Sequence, residues 1–269
     1  MNIAHAIRFV QSSPDPVLRA RLAALIEAAP ASEAVIASLA AQQNPDGGWP
    51  FGGVAGRPSS LVDTCQMLNS LVELDEISSA PAERGRAFLL AQQSPRGWWR
   101  ESASLAEFDL PIWLDPEVEG ALVYTTAMCA STLAGTDDPE DLLAVDQAVG
   151  WLQPQVAPNG LLPGYRAFST AAALPAITAI AHRESRTVRR MVGGLGDLLS
   201  ADWDASMLGM LLAGLSQAGL PRATKVIERA LAMLTRLQRA DGAWADENGA
   251  ADAALTLQII RAARRFGLR

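Results

Sequence analysis

Three segments of this chain share one spacing, glutamine, three residues, glycine, one residue, tryptophan: Gln43-Gly47-Trp49, Gln93-Gly97-Trp99 and Gln238-Gly242-Trp244. A signature that recurs in this way requires each unit to offer the same surroundings to the same residues, which restricts the chain to repeat architectures such as solenoids and closed rings. Successive tryptophans lie 50 and 145 positions apart, and the longer gap has room for about three further periods. Degenerate copies are expected at 153–162 and 196–203. The signature has work to do without any ligand: glycine ends a helix in the left-handed conformation, glutamine bonds free backbone groups, and tryptophan covers the exposed end.

Two kinds of helical segment alternate around these loops. Amphipathic stretches at 7–12, 33–43, 83–93, 141–153, 186–199 and 223–238 carry polar residues on one face and belong on the outside. Stretches rich in Ala, Leu, Thr and Ser at 16–28, 61–74, 119–134, 169–182, 203–218 and 251–264 have little charge and belong inside. The expectation is an all-α chain of twelve helices in six pairs, as one domain spanning 1–269. No alternating strand pattern bounded by turn residues competes with it.

At 49% hydrophobic the chain has ample material for a core, and a net charge of −7 without a basic stretch argues against nucleic acid as a partner. Cys65 and Cys129 are too few for a disulfide framework and each sits in an apolar run, so a reducing compartment is expected. The first residues, broken by His5 and Arg8, do not read as a secretion signal, and no run reaches the roughly 20 apolar residues of a membrane span. These features predict a cytoplasmic protein.

The three loops, Gln-Asn-Pro-Asp-Gly-Gly-Trp at 43–49, Gln-Ser-Pro-Arg-Gly-Trp-Trp at 93–99 and Gln-Arg-Ala-Asp-Gly-Ala-Trp at 238–244, resemble the QW motifs of squalene-hopene and oxidosqualene cyclases. The resemblance covers nearly the whole chain and implies the α6-α6 toroid of class II terpene cyclases and protein prenyltransferase β subunits, a ring of inner helices inside a ring of outer ones. The expected single-domain architecture resembles that of the monodomain bacterial class II cyclases that build meroterpenoids. Function on this fold must still be argued from the site.

Three motifs compete for chemistry. The segment 56–65 resembles the one that supplies two zinc ligands in prenyltransferases, making Asp63 and Cys65 ligands; Tyr124-Thr125-Thr126 stands where the third, a histidine, is expected, and His5 and His182 are the only histidines. One thiolate and one carboxylate hold zinc poorly, so Asp63 reads as a helix cap and Cys65 as core. Asp137-Asp138-Pro139-Glu140-Asp141 spells the DDxxD of diphosphate-ionising synthases, yet it opens an apolar helix, where Asp and Pro serve as a cap. Asp202-Trp203-Asp204-Ala205 is the nearest match to the DxDD of class II cyclases, with Ala205 in place of the last aspartate.

Class II cyclases protonate a terminal alkene or epoxide with an aspartic acid. An alkene is a weak base, so the donor must stay protonated, and burial among apolar groups is what keeps it so. Asp63, Asp204 and Asp252 all lie near inner-helix starts, where the dipole favours the charged form. Asp109, within the apolar segment Phe108-Asp109-Leu110-Pro111-Ile112-Trp113, is therefore the expected acid, with a turn residue as the bland reading and Asp204 as the alternative acid. Trp113, Tyr124, Tyr165, Phe168 and Trp203 stand near inner-helix starts, where their rings either stabilise a carbocation or simply pack.

The resemblance implies a linear polyprenyl substrate, free or attached to an aromatic acid with Arg57, Arg100 and Arg166 as candidate contacts, converted to cyclised isomers. No Lys/Arg cluster beside Asp109 marks a diphosphate site, so no cofactor is expected, with Mg²⁺ reserved for a diphosphate substrate. Transient membrane association to collect a hydrophobic substrate belongs to the same reading. The alternative is a non-catalytic isoprenoid-binding protein or partner subunit on the same toroid.

Overall fold

The computed structural model describes residues 1–136 and 138–268. Among them run twelve α-helices. Six are outer: α1 (Ile3–Gln11), α3 (Glu33–Ala40), α5 (Ala80–Ala91), α7 (Pro139–Leu152), α9 (Arg186–Leu198) and α11 (Lys225–Leu237). Six are inner: α2 (Pro16–Glu27), α4 (Leu61–Glu73), α6 (Glu119–Leu133), α8 (Arg166–Ala181), α10 (Ala205–Gln217) and α12 (Ala253–Arg265). Every expected helix forms, within a few residues of its expected bounds. Two minimal antiparallel pairs, β1 (Trp49–Pro50) with β2 (Ser59–Ser60) and β3 (Trp244–Ala245) with β4 (Ala251–Asp252), pin the tryptophans to the starts of α4 and α12.

The inner helices contact one another in a closed cycle, α2 to α4, α6, α8, α10, α12 and back to α2. Cys65 meets Cys129 and Asn69 bonds Thr132, two pairs that advance together along both helices, so α4 and α6 run parallel. Outer helices α3, α5, α7, α9 and α11 each pack on the inner helix that precedes them in the chain, α7 also on α8, and α1 packs on both α2 and α12. Most of the buried apolar residues, from Ile3 to Phe266, form one continuous core between the two layers.

The repeated loop makes the joints. Tryptophan rings at 49, 99 and 244 are buried, and each indole N–H donates to a carbonyl ten residues upstream, on Leu39, Leu89 and Leu234. Each tryptophan backbone N–H donates to a threonine hydroxyl of the following inner helix, Thr64, Thr126 and Thr256. The glutamines bond their own loop's glycine carbonyl and reach the next outer helix: Gln43 donates to Pro81 O of α5 and Gln93 to Ala144 O of α7. Gln238 makes the same connection to Asn2, the N-cap of α1, so the repeat signature itself joins the last unit to the first.

Of the two degenerate copies, 153–162 keeps the loop: Gly160 has a φ of 84°, Leu162 replaces tryptophan, and the Leu162 N–H donates to Thr170. The segment 196–203 does not. Gly196 lies inside α9 and Trp203 is buried just ahead of α10, because α9 continues through the position where the other units turn.

Glycine is required at the loop for two reasons at once. Gly97 has a φ of 88°, and a Cβ there would sit 2.4 Å from the Gln147 carbonyl oxygen of α7. Gly97→Ala is expected to cost about 2 kcal/mol, combining left-handed strain with displacement of α7. The drop in urea midpoint should exceed that for Gly150→Ala in α7, where a Cβ meets nothing.

Candidate active site

The inner ring surrounds a cavity of about 520 Å³ to which all six inner helices contribute. It runs from their N-termini, at Tyr124, Phe168, Ser206 and Asp252, to their C-termini, at Glu73, Gln217 and Arg265. The volume falls within the range of small-molecule sites. Met67, Met128, Met210, Tyr124 and Phe168 supply a soft apolar and aromatic wall.

A second apolar cluster caps the N-terminal end. Phe51, from the turn after Trp49, meets Phe108 with ring centroids 6.0 Å apart, and Val62, Leu105, Leu110, Leu114 and Tyr124 complete it. The Arg57 guanidinium lies 5.0 Å from the Phe108 ring centroid and 5.5 Å from that of Phe51. The long segment before α6 thus folds over the inner-helix starts, as its apolar content predicts.

Asp109 does not follow its neighbours inward. Phe108 and Leu110 are half-buried in that cluster, while Asp109 between them is exposed. Phe108 is extended, with φ −106° and ψ 161°, and in extended backbone successive side chains point to opposite sides. The apolar flanks that made Asp109 attractive are the reason it faces water, and it lacks the burial on which its reading as the acid rested. Asp204, the alternative, is the N-cap of α10, its Oδ1 accepting from the Met207 N–H at 2.8 Å, and Asp202 is exposed.

Asp63 carries the opposite signature. It sits in the first turn of α4, one turn before Gln66 and Met67 of the cavity wall, and burial raises its pKa against the pull of the Ser60 hydroxyl and the Gly52 backbone N–H. The capping role assigned to Asp63 belongs to Ser60, whose Oγ accepts from the Asp63 N–H at 3.1 Å. The Asp63 carboxyl is therefore released from the helix end.

Glu101, which sequence reasoning passed over, completes the arrangement. It is 4% exposed, and its two oxygens accept from the Ser60 hydroxyl and from the Leu61 and Val62 N–H groups at 2.8–3.0 Å. Burial pushes its pKa up to about 7 against those three hydrogen bonds, with the Asp63 charge adding to the rise. Its position two residues after Trp99, on the loop facing α4, is the signal that could have found it. Burial likewise pushes Tyr124 up to about 12, so the phenol stays neutral.

Glu101 makes folding pH-dependent in a defined direction. The folded state binds its proton more tightly than the unfolded chain, so this contribution is full below 4.5 and is lost as pH rises through about 7. The loss is on the order of 3 kcal/mol. Urea midpoints should fall across this interval, and Glu101→Gln, although weaker at low pH, should flatten the fall.

The five aromatic candidates separate. Tyr124 and Phe168 line the cavity. Trp113 is 44% exposed and Trp203 is 8% exposed within the main core, so neither meets the cavity, and half-buried Tyr165 sits just before α8 without reaching its wall. Their nearness to helix starts was correct; which way each ring turned depended on the packing of neighbouring loops. Arg100 lies over the Trp98 ring and pairs with Glu119, Arg57 covers the aromatic cap, and Arg166 is exposed at the start of α8.

The remaining motifs are engaged elsewhere. Asp138 caps α7 and pairs with Arg86, which also holds fully buried Asp141 at 2.6 Å; Asp137 lies outside the described residues. Cys65 and Cys129 are buried with Sγ atoms 3.7 Å apart. Among the described residues no three His, Cys, Asp or Glu side chains converge as a metal site, and no helix is long and apolar enough to cross a membrane.

Solved structures share this fold over nearly the full chain. Type II terpene cyclase MstE from Scytonema, in complex with merosterolic acid A, superposes with a TM-score of 0.65 at 15% identity, covering 98% of this chain and 85% of that one. The fold is that of a type II terpene cyclase. The same enzyme in complex with geranylgeranyl dihydroxybenzoate matches with a TM-score of 0.63 at 16% identity, covering 97% and 85%. A protein from Actinoplanes matches at 0.64 with 17% identity, covering 98% and 89%. In sequence, 116 residues are 33% identical to drimenyl diphosphate synthase of Streptomyces showdoensis, amounting to 41% of this chain and about a fifth of the length of that relative. No protein-family model matches the chain.

Proposed function

We propose that this protein is a cyclase of the type II terpene class that protonates the terminal alkene of a linear prenyl chain, with Asp63 as the acid. The observation that carries this reading is a raised-pKa carboxyl one turn from the wall of a cavity that all six inner helices line. Asp63 delivers its proton to one alkene carbon, and the π electrons form the new C–H bond. The positive charge left on the adjacent carbon is attacked by the next double bond. Loss of a proton at the end restores the balance, so the product is an isomer of the substrate.

The wall suits that sequence of steps. Tyr124 and Phe168 present ring faces that attract a cation without a reactive lone pair, and Met67, Met128 and Met210 shape an adaptable sleeve. The Phe51–Phe108 cap shields the Asp63 end from water that would quench a cation. The neighbours' bound prenylated acid and the drimenyl diphosphate synthase match support an isoprenoid carrying an aromatic acid or a diphosphate.

Incubation with geranylgeranyl dihydroxybenzoate and with farnesyl diphosphate tests the proposal. Cyclised products of unchanged mass support it. Recovery of both substrates unaltered, with the ligands bound, would replace it by the reading of an isoprenoid-binding protein.

A further inference from the structure

The cavity is electrically polarised along its axis. Asp252 lines its N-terminal end and Asp63 lies one turn beyond the α4 wall on that side, whereas the C-terminal end gathers Arg21 from α2 and Arg261 and Arg265 from α12 around one carboxylate, Glu73. Arg21 Nε donates to Glu73 Oε2 at 2.6 Å, and that same oxygen lies 2.9 Å from Arg261 Nη2. The Arg261 contact is not aligned as a hydrogen bond. Its Nε and Nη2 are buried and have no hydrogen-bond partner among the described residues.

Three guanidinium groups and one carboxylate leave a surplus of two positive charges. Helix C-termini attract cations, which accounts for the placement of Arg265 but not for buried, unused donors on Arg261. Unpartnered buried polar groups cost stability, so their retention calls for a partner that the protein alone does not supply. Burial pushes Arg261 down to about 10, with Glu73 opposing and Arg21 and Arg265 adding to the shift, and it stays charged at neutral pH.

We propose that Arg261, with Arg21 and Arg265, forms a subsite for the anionic head group of an amphiphilic ligand whose apolar chain runs up the cavity toward Asp63. The shared chemistry is an oxyanion, carried by a carboxylate or a diphosphate, which the guanidinium fork matches geometrically. Asp63 and Glu73 stand ten residues apart on α4, which sets the head group about 15 Å from the acid. The subsite therefore also acts as a ruler, because it fixes which double bond of the chain reaches Asp63. This inference rests on the cyclase reading for the identity of the chain but not for the binding of the head.

Calorimetric titration of the full chain with farnesyl diphosphate, geranylgeranyl dihydroxybenzoate and uncharged farnesol separates these points, since it reads binding whether or not turnover occurs. Farnesyl diphosphate or the benzoate is expected to bind at least about tenfold more tightly than farnesol, and whichever does so identifies the head. Arg261→Met should remove that advantage while leaving farnesol binding unchanged, and Arg265→Met, at an exposed position that does not put folding at risk, should reduce it severalfold. Equal affinity for all three ligands, or an advantage that survives both substitutions, would overturn the subsite. Head-selective binding without any cyclised product would overturn the cyclase reading and leave the subsite standing.

Discussion

Asp63→Asn is expected to lower turnover of a linear prenyl substrate by at least about 100-fold while leaving the thermal midpoint close to that of the parent. Asparagine keeps the volume and the α4 cap, because that cap is the Ser60 hydroxyl and not the Asp63 carboxyl. What it removes is an acidic proton that burial favours on a carboxyl not committed, as Glu101 is, to the backbone N–H groups of Leu61 and Val62. Asp109→Asn is the matched control: an exposed carboxyl is expected to be dispensable. The pH profile has a definite sign. A proton donor must be protonated, so turnover is full below the raised pKa of Asp63 and falls as pH rises through it. Parent-like rates in Asp63→Asn, or loss in Asp109→Asn alone, would return the role to the exposed loop.

Trp99→Ala should be the most damaging single change to the fold, at about 4 kcal/mol. The indole is fully buried, donates to Leu89 O at 2.7 Å, and fills the joint between an outer and an inner helix. Its removal leaves a cavity and strands a buried carbonyl. A domain with 5–15 kcal/mol of total stability has little left after such a loss. The expected observation is a much lower urea midpoint with a comparable effect for Trp244→Ala, which occupies an equivalent joint. A loss near 1 kcal/mol would mean that the joints are redundant.

The repeat made the architecture legible because the same local problem is solved three times with the same residues. Gln43, Gln93 and Gln238 each reach the next outer helix, and a spacing visible in the sequence records that contact directly. Segment 153–162 stayed readable through Gly160, since only glycine fits that backbone, whereas 196–203 had no such anchor. The threonines that receive the tryptophan N–H groups, Thr64, Thr126 and Thr256, were visible as residues but not as partners.

The site was harder to read because it occurs once. Asp63 was read as a cap from its place at a helix start, yet a serine three residues earlier took that task. Asp109 was favoured for apolar neighbours that, in extended backbone, turn it outward. Arg21, Glu73 and Arg261 are distant along the chain and look like isolated charges on otherwise bland helices. They become a cluster only because α12 returns to α2.

Sequence alone therefore determined the helices, their inner and outer assignment, and the loops that join them, because periodicity, glycine backbone freedom and tryptophan burial act over a few neighbouring residues. Tertiary structure decided which carboxyl is buried, which aromatic rings meet the cavity, and where positive charge collects. Those properties depend on solvent exclusion and on the field of residues brought together by ring closure, and neither is carried by any one segment.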